Sequence, residues 1–286
     1  LHGETEEGEI TERSFLAKSV WARMAIMAAG PIMNFLLAIV LIFGLSASGY
    51  IIQPKVAAVL DGSPAQEIGL QEGDEIYRIN GDRIHIYDEM QAIMLQNGGE
   101  PIDLEIKRDG VIYEYELTPQ YSEETQTYLV GFTPTIKNGI FAEKVEGYDT
   151  ASVFETVHYS YYAMLNYVKL TAEGLARVFT MQASPDEYGG SNSIVGDSYE
   201  AGLSYSFVAA VQNVVYIAAV LSANLGVLNL FPIPGLDGGR ILLLLIEILR
   251  RKPMNPETES RILFGGFVFL MGFMVFVMYT DIMKIF

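Results

Sequence analysis

Residues 224–240 read NLGVLNLFPIPGLDGGR. Asp237 is the residue there whose chemistry stands out, because it follows a run, Ala201–Leu236, that carries no charge over 36 residues. An Asp at a bilayer centre costs about 2.5–3.5 kcal/mol on insertion scales, so an ionisable group at the end of such a run marks a candidate functional site. Pro232 and Pro234 cannot continue a helical hydrogen-bond ladder. Gly235, Gly238 and Gly239 permit backbone shapes closed to other residues. Non-helical backbone at membrane depth survives only where protein or a water-filled cavity satisfies it. FPIPGLDGG is therefore expected to be a broken segment lining a polar cavity, with Asn224 and Asn229 able to hydrogen-bond the exposed backbone. A carboxylate so placed could bind a cation, shuttle protons or ligate a catalytic metal. It could equally cap a helix that starts at Gly238, since Asp is a good N-cap.

The surrounding elements are dominated by apolar blocks. Half of the 286 residues are hydrophobic and the mean hydropathy is +0.26. Charge is absent from Met24–Pro54 (31 residues), from Ala201–Leu236 and from Ile262–Thr280 (19 residues). A helix needs about 20 apolar residues to cross the hydrocarbon core, so each block can supply one crossing. These are expected at residues 24–48, 203–231 and 262–284. In the first, Asn34 can hydrogen-bond across a bundle or simply pack. Arg13, Lys18 and Arg23 precede the first block, and Arg240, Arg250, Arg251, Lys252 and Arg261 lie between the second and third. By the positive-inside rule residues 1–23 and 240–261 face the cytoplasm. The middle, residues 49–206, holds 25 acidic and 9 basic side chains and falls outside. So acidic a surface excludes nucleic acid as a partner. Cysteine is absent, which excludes disulfides and thiolate-held metals.

Residues 52–119 carry the pattern of a small α+β domain. Val56, Ala58 and Leu60 alternate as in a strand, and Ser63-Pro64 opens a short helix that Gly69 ends. Asn80-Gly81 and Asp109-Gly110 mark tight hairpins. Met90, Ile93 and Met94 share one side of a helix near Asp88. In residues 120–202, an amphipathic helix is expected over 151–180, lying on the membrane surface or against the domain. Residues 183–202 read as a loop.

At this point the motifs carry a resemblance. SPAQEIGLQEGDEIYRING (63–81) is similar to the core of a bacterial, permuted PDZ domain. PDZ domains capture peptide ends by strand addition. The expected groove lies between PKVAAV and the helix near Asp88, with Pro54, Val56, Ala57, Val59, Met90 and Ile93 as lining. A domain used only as a filter or spacer remains open. NLGVLNLFPIPGLDGGR resembles the N-x-x-P-x-P-x-LDGG signature of the site-2 proteases, intramembrane zinc metalloproteases of family M50. FLAKSVWARMAIMAAGPIMNFLLA resembles that family's second transmembrane segment, with its G-P-x-x-N-F pattern.

The resemblance implies a membrane α-helical bundle with an inserted extracytoplasmic α+β PDZ domain. Three crossings are present and a fourth is expected upstream. It implies zinc held by two histidines of H-E-x-x-H and by the Asp of LDGG, here Asp237. Asn34, Asn224, Asn229, Pro232 and Pro234 would support the site or the substrate. The implied partners are single-pass membrane proteins already cut once, such as anti-sigma factors or remnant signal peptides, in the bacterial cytoplasmic membrane. Peptide ends at the PDZ domain are a further implied partner. His2, His85 and His158 form no H-E-x-x-H motif. The helix with that motif is expected upstream of Leu1. The alternative is a catalytically incomplete, membrane-anchored PDZ adaptor or sensor.

Overall fold

A computed structural model describes residues 17–123, 127–179, 207–252 and 254–285. His2 and most of the first polar segment, the loop expected at 183–202, and the first residues of the second expected crossing lie outside them. The chain divides into two compact units, Leu1–Ala38 with Val220–Phe286, and Ile39–Ala219.

Helix α1 (Val20–Ser48) opens the described chain. It contains Pro31, which is almost fully buried. That proline leaves the carbonyl of Met27 without its usual helical donor. Its 29 residues span about 43 Å at 1.5 Å each, enough for the hydrocarbon core.

The sheet unit follows. Its elements are β1 (Tyr50–Val59), α2 (Pro64–Glu67), β2 (Glu75–Ile79), β3 (Asp82–Arg83), α3 (Tyr87–Asn97), β4 (Ile102–Arg108), β5 (Val111–Leu117) and, further on, β8 (Phe132–Asn138). A small hairpin of β6 (Gln120–Ser122) and β7 (Thr127–Leu129) stands apart from the main sheet. The sheet order is β5-β4-β2-β1-β8, with β3 on β2. Ile76 and Ile79 of β2, Leu104 and Ile106 of β4, and Met90 and Met94 of α3 are buried in one apolar core. Asn80-Gly81 and Asp109-Gly110 all have positive φ, the geometry of primed two-residue hairpin turns.

Three expectations are corrected here. The sheet does not end near residue 119, because β8 pairs with β1 along its length, from Tyr50↔Asn138 to Val59↔Phe132. Strand β1 does not alternate through Val56, Ala58 and Leu60. Its register shifts between Gln53 and Val56 and again before Ala58, and Pro54, which has no N–H to give the ladder, sits in the first shift. Val56 is buried while Ala58 and Leu60 are exposed. Strand addition beside β1 finds its edges taken, by β8 on one side and by β2 at Lys55↔Glu75 on the other. The strand at the end of the sheet on that side is β8. Of the expected groove residues, Val56 and Met90 are in the core, Val59 and Ile93 pack against it, Pro54 is half-buried and Ala57 is exposed.

The sequence GD at 73–74 has a structural reason. Asp74 is fully buried and accepts a bidentate pair from Arg108, Nε–Oδ1 2.7 Å and NH2–Oδ2 2.6 Å. Its Oδ2 also accepts from the Gln71 backbone at 2.8 Å. The carboxylate raises the Arg108 pKa further above its ordinary value.

Helix α4 (Val153–Phe179) begins with a capping box, Ser152 at the cap and Glu155 three residues on. The Glu155 backbone N–H donates to Ser152 Oγ at 3.2 Å, and the Ser152 backbone N–H donates to Glu155 Oε2 at 2.8 Å. Glu155 also accepts from Lys137 of β8 (2.6 Å) and Gln53 of β1 (3.0 Å), so it ties the helix start to the sheet. On α3, Asp88 accepts from the Tyr159 hydroxyl at 2.7 Å. Burial raises the Asp88 carboxyl pKa against that hydrogen bond. His85 and His158, set apart in the sequence, come within 6.5 Å ring to ring, and Tyr162 stacks on His85 at 3.8 Å. The remaining helices are α5 (Phe207–Leu230), α6 (Asp237–Arg250) and α7 (Pro256–Ile285). Among the described residues, Val20–Ser48 and Ala210–Leu230 are long and apolar enough to cross a membrane.

Asp74→Ala strips Arg108 of its bidentate partner and the Gln71 N–H of its acceptor. The loss should be about 3 kcal/mol of unfolding free energy, the low end for a broken buried pair because Arg108 keeps access to water. Denaturant unfolding of the chain measures it. A second expectation concerns acid. Burial pushes the Glu155 pKa up, but the hydrogen bonds from Lys137 and Ser152 outweigh it and hold the group at about 2 against an ordinary 4.5. A depressed carboxyl stabilises the fold above its unfolded pKa. The Glu155 tie should therefore be complete above about pH 4.5 and fade as the pH falls toward about 2. Amide exchange in the first turn of α4 should speed up over that window, and a Glu155→Gln chain should lack the step.

Candidate functional site

The site is assembled from α1, the end of α5, the start of α6 and α7, within the unit that contains Val220–Phe286. Helix α5 stops at Leu230 because Pro232 and Pro234 follow. The chain then turns tightly. Phe231 N–H donates to Leu228 O (3.1 Å), Ile233 N–H to Phe231 O (2.7 Å), and Leu236 N–H to Ile233 O (3.1 Å). Gly235 has φ +106°, a conformation glycine adopts without strain. Pro234 and Leu236 form a short bridge across it. The break thus satisfies much of its own backbone.

Helix α6 begins at Asp237 itself. The capping position is Leu236, extended at φ −105° and ψ 165°, with no side-chain cap. This corrects the alternative that Asp237 is the N-cap of a helix starting at Gly238. Asp237 is the first helical residue, where a negative charge is favoured by the helix dipole. Its carboxylate points at α1: Oδ2 lies 3.6 Å from where a Cβ on Gly30 would stand. Gly30 belongs to the GP pair of α1, so the two quoted motifs meet here.

The other glycines are explained by close approach. A methyl on Gly238 would overlap the carbonyls of Leu230 and Phe231, and one on Gly239 would overlap that of Ile233. A methyl on Gly266 of α7 would overlap the Pro234 carbonyl. One on Gly226 of α5 would overlap the Phe35 ring of α1. Buried Ser222 donates from Oγ to the Asn34 carbonyl at 2.8 Å, tying α5 to α1. Asn34, Asn224, Asn229 and Pro234 are half-buried, and Pro232 is exposed. The structure therefore brings Asp237 to α1 and places the asparagines on the two helices beside the break. Gly30, Gly266 and Ser222 were not singled out as site residues by sequence. The signal available for Gly30 was its place in the G-P-x-x-N-F pattern.

Asp237 offers one carboxylate at the start of α6, and the other acidic residue of that helix, Glu247, lies ten residues on. Among the described residues no group of three or more His, Cys, Asp or Glu side chains could hold a metal ion. His85 and His158 belong to the sheet unit and are in no such group.

The family model described as "Peptidase family M50" matches residues 3–273. The chain belongs to peptidase family M50. Similar relatives include the regulator of sigma-W protease RasP of Bacillus subtilis, 33% identical over 276 residues. Another is the zinc metalloprotease RasP of Shouchella clausii, also 33% identical over 276 residues. In both cases the match covers 96% of this chain and 62% of the relative, so the M50 chain spans about three-fifths of their length. Among solved structures, the PDZ domain of an SdrC-like protein from Listeria monocytogenes matches at 21% identity, covering 28% of this chain and 84% of its own, with a TM-score of 0.26. A Geobacillus thermodenitrificans protein matches at 25% identity, 28% and 91% coverage and a TM-score of 0.24.

Space at Gly30 sets a prediction for the M50 chain. At 3.6 Å a methyl makes ordinary contact with Asp237, so Gly30→Ala should fold and keep its melting temperature within about 2 °C. Gly266→Ala must instead displace the Pro234 backbone and should lower the melting temperature clearly further. Thermal melts of the two variants in detergent compare them.

Proposed function

We propose that this chain is the LDGG-bearing part of an intramembrane zinc metalloprotease, with Asp237 as one ligand of the zinc. The observation that carries this is the meeting of the two M50 motifs: the Asp237 carboxylate at the first turn of α6, facing Gly30 of α1. A hard carboxylate oxygen held at a helix start, facing Gly30 of α1, fits one corner of a tetrahedral site. A catalytic zinc takes three protein ligands and leaves one position open, so Asp237 alone does not make the centre. The two further ligands would be the histidines of an H-E-x-x-H helix, with its glutamate as general base, and none of the three histidines in these 286 residues stands in such a motif. When bound, zinc supplies a water of lowered pKa. What this chain's own residues do is narrower. The proline–glycine break ends α5 short of the site, Gly238 and Gly239 let the break fold onto α6, and Asp237 is presented to α1.

Three crossings, α1, α5 and α7, complete the arrangement, with the acidic sheet unit outside the cytoplasmic membrane of a bacterium. The basic residues flanking α1 and α6 support this orientation. The substrates are single-pass membrane proteins, pre-cut outside the membrane, of the anti-sigma-factor or remnant-signal-peptide kind. A relative named for regulating a sigma-W pathway supports that class. The PDZ domain filters substrates or receives their new ends. Strand addition there falls to the β8 edge rather than to β1.

In the protein that also carries the H-E-x-x-H helix, Asp237→Asn should remove bound zinc and cleavage of a transmembrane substrate while leaving the protein in the membrane. Zinc content by elemental analysis and cleavage of a single-pass reporter check it. Wild-type zinc and cleavage in the variant refute the ligand role.

A further inference from the structure

Helix α6 meets α1 at a second point. Arg23 NH2 lies 2.6 Å from Glu247 Oε1, and the two side chains are 12% and 11% exposed. Such a pair is desolvated, unlike a surface bridge that contributes little. Arg23 Nε is itself buried with no hydrogen-bond partner. The guanidinium is therefore held at this contact with its Nε left without an acceptor.

The register of the two contacts is informative. Arg23 and Gly30 are seven residues apart, two turns of α1, and share a face. Met27, between them on that face, is buried. Asp237 and Glu247 are the acidic residues of α6, ten residues apart. Seven residues of helix are about 10 Å long and ten are about 15 Å. The two contacts thus run in opposite chain directions and nearly match in length, and the long Arg23 side chain spans the difference. Helix α6 lies antiparallel along the first half of α1, touched at both ends.

We infer that the Arg23–Glu247 ion pair is a positioning pair that sets the height and rotation of α6, and through it the placement of Asp237 opposite Gly30. The inference rests on the proposed role of Asp237 for its consequence at the metal, but its geometry does not. Two contacts define a rod against a rod, where one leaves it free to swing. Asp237 makes no directional bond to Gly30, whose missing Cβ leaves space 3.6 Å from the carboxylate, so that approach does not fix α6 alone. The charge pair supplies the directional restraint. Arg23 and Glu247 touch no reacting atom in this scheme.

The chain has no cysteine, so two introduced thiols report alone. Ile32→Cys on α1 and Leu242→Cys on α6, both exposed, carry spin labels in the full chain in detergent. Electron–electron distance measurement should give one narrow distribution. Arg23→Gln and the near-isosteric Glu247→Gln should each broaden or shift it, with helix content by circular dichroism unchanged. Arg23→Lys, which keeps the charge and loses the orphaned Nε, should restore it. Unchanged distributions in both Gln variants overturn the proposal, as does a broad distribution in Arg23→Lys. In the protein with the H-E-x-x-H helix, Arg23→Gln should weaken zinc binding about tenfold, the scale seen when a ligand's supporting partner is removed. Asp237→Asn separates the two ideas. A narrow distance with zinc lost supports both. Zinc retained there refutes the ligand role and leaves the distance result to judge the pair.

Discussion

The constraint on which this structure depends is that a helix broken at membrane depth must still satisfy its backbone. Two prolines end α5, and the freed groups are answered locally, by the 2.7–3.1 Å bonds among Leu228, Phe231, Ile233 and Leu236. Such a tight turn can be held in a bundle only if neighbouring helices come very near. Gly238, Gly239 and Gly266 give that nearness, since each stands where a side chain would overlap a carbonyl. The glycines and prolines of FPIPGLDGG are thus one solution. The prolines create the break and the glycines close the bundle around it. The consequence is that the first residue after the break, Asp237, projects from a helix start onto a neighbouring helix, and is not lost in a loop.

The sheet unit obeys a different logic. Its core is built by period-two strands and by a buried Asp74–Arg108 pair that pins the GD turn to β4. Where Pro54 interrupts β1, the register shifts and β8 runs alongside. This leaves β1 interior and β8 at the end of the sheet. The capping box at Ser152 and Glu155 then starts α4, and the same glutamate anchors the helix to β1 and β8. One carboxylate therefore serves both a local and a tertiary role, so the start of α4 is fixed relative to the sheet.

What the sequence made legible was what local chemistry determines. Asn80-Gly81 and Asp109-Gly110 could be read as hairpins because few other pairs take two positive φ values in succession. The apolar runs marked α1 and α5, and Pro232 with Pro234 marked the break between α5 and α6. The failures were non-local. Strand β8 pairs with a strand about 80 residues earlier, and the local strand character of TYLVGFTPTI (127–136) does not say which strand it joins. The N-cap alternative for Asp237 failed by one residue, because the extended residue before the helix is Leu236. Arg23 and Glu247 are 224 residues apart; Arg23 read as one of the flanking basic residues, and Glu247 carried no signal of its own. Gly30 was visible as a motif residue, yet the carboxylate facing it needed the fold.

The same contrast separates two kinds of conformational restraint in the membrane unit. Close packing through glycine is strong in distance and weak in direction, because dispersion contacts are numerous and nearly isotropic. A charge-assisted hydrogen bond is the reverse: a single contact, short, and strongly dependent on angle. A site that must hold one carboxylate at a fixed place benefits from both, with packing setting how near α6 lies and a directional bond setting how it is turned. Gly30 leaves the carboxylate its space and Arg23 provides the directional bond, on one face of one helix, two turns apart. The placement of Asp237 is then a property of α1 as much as of the LDGG sequence that carries it.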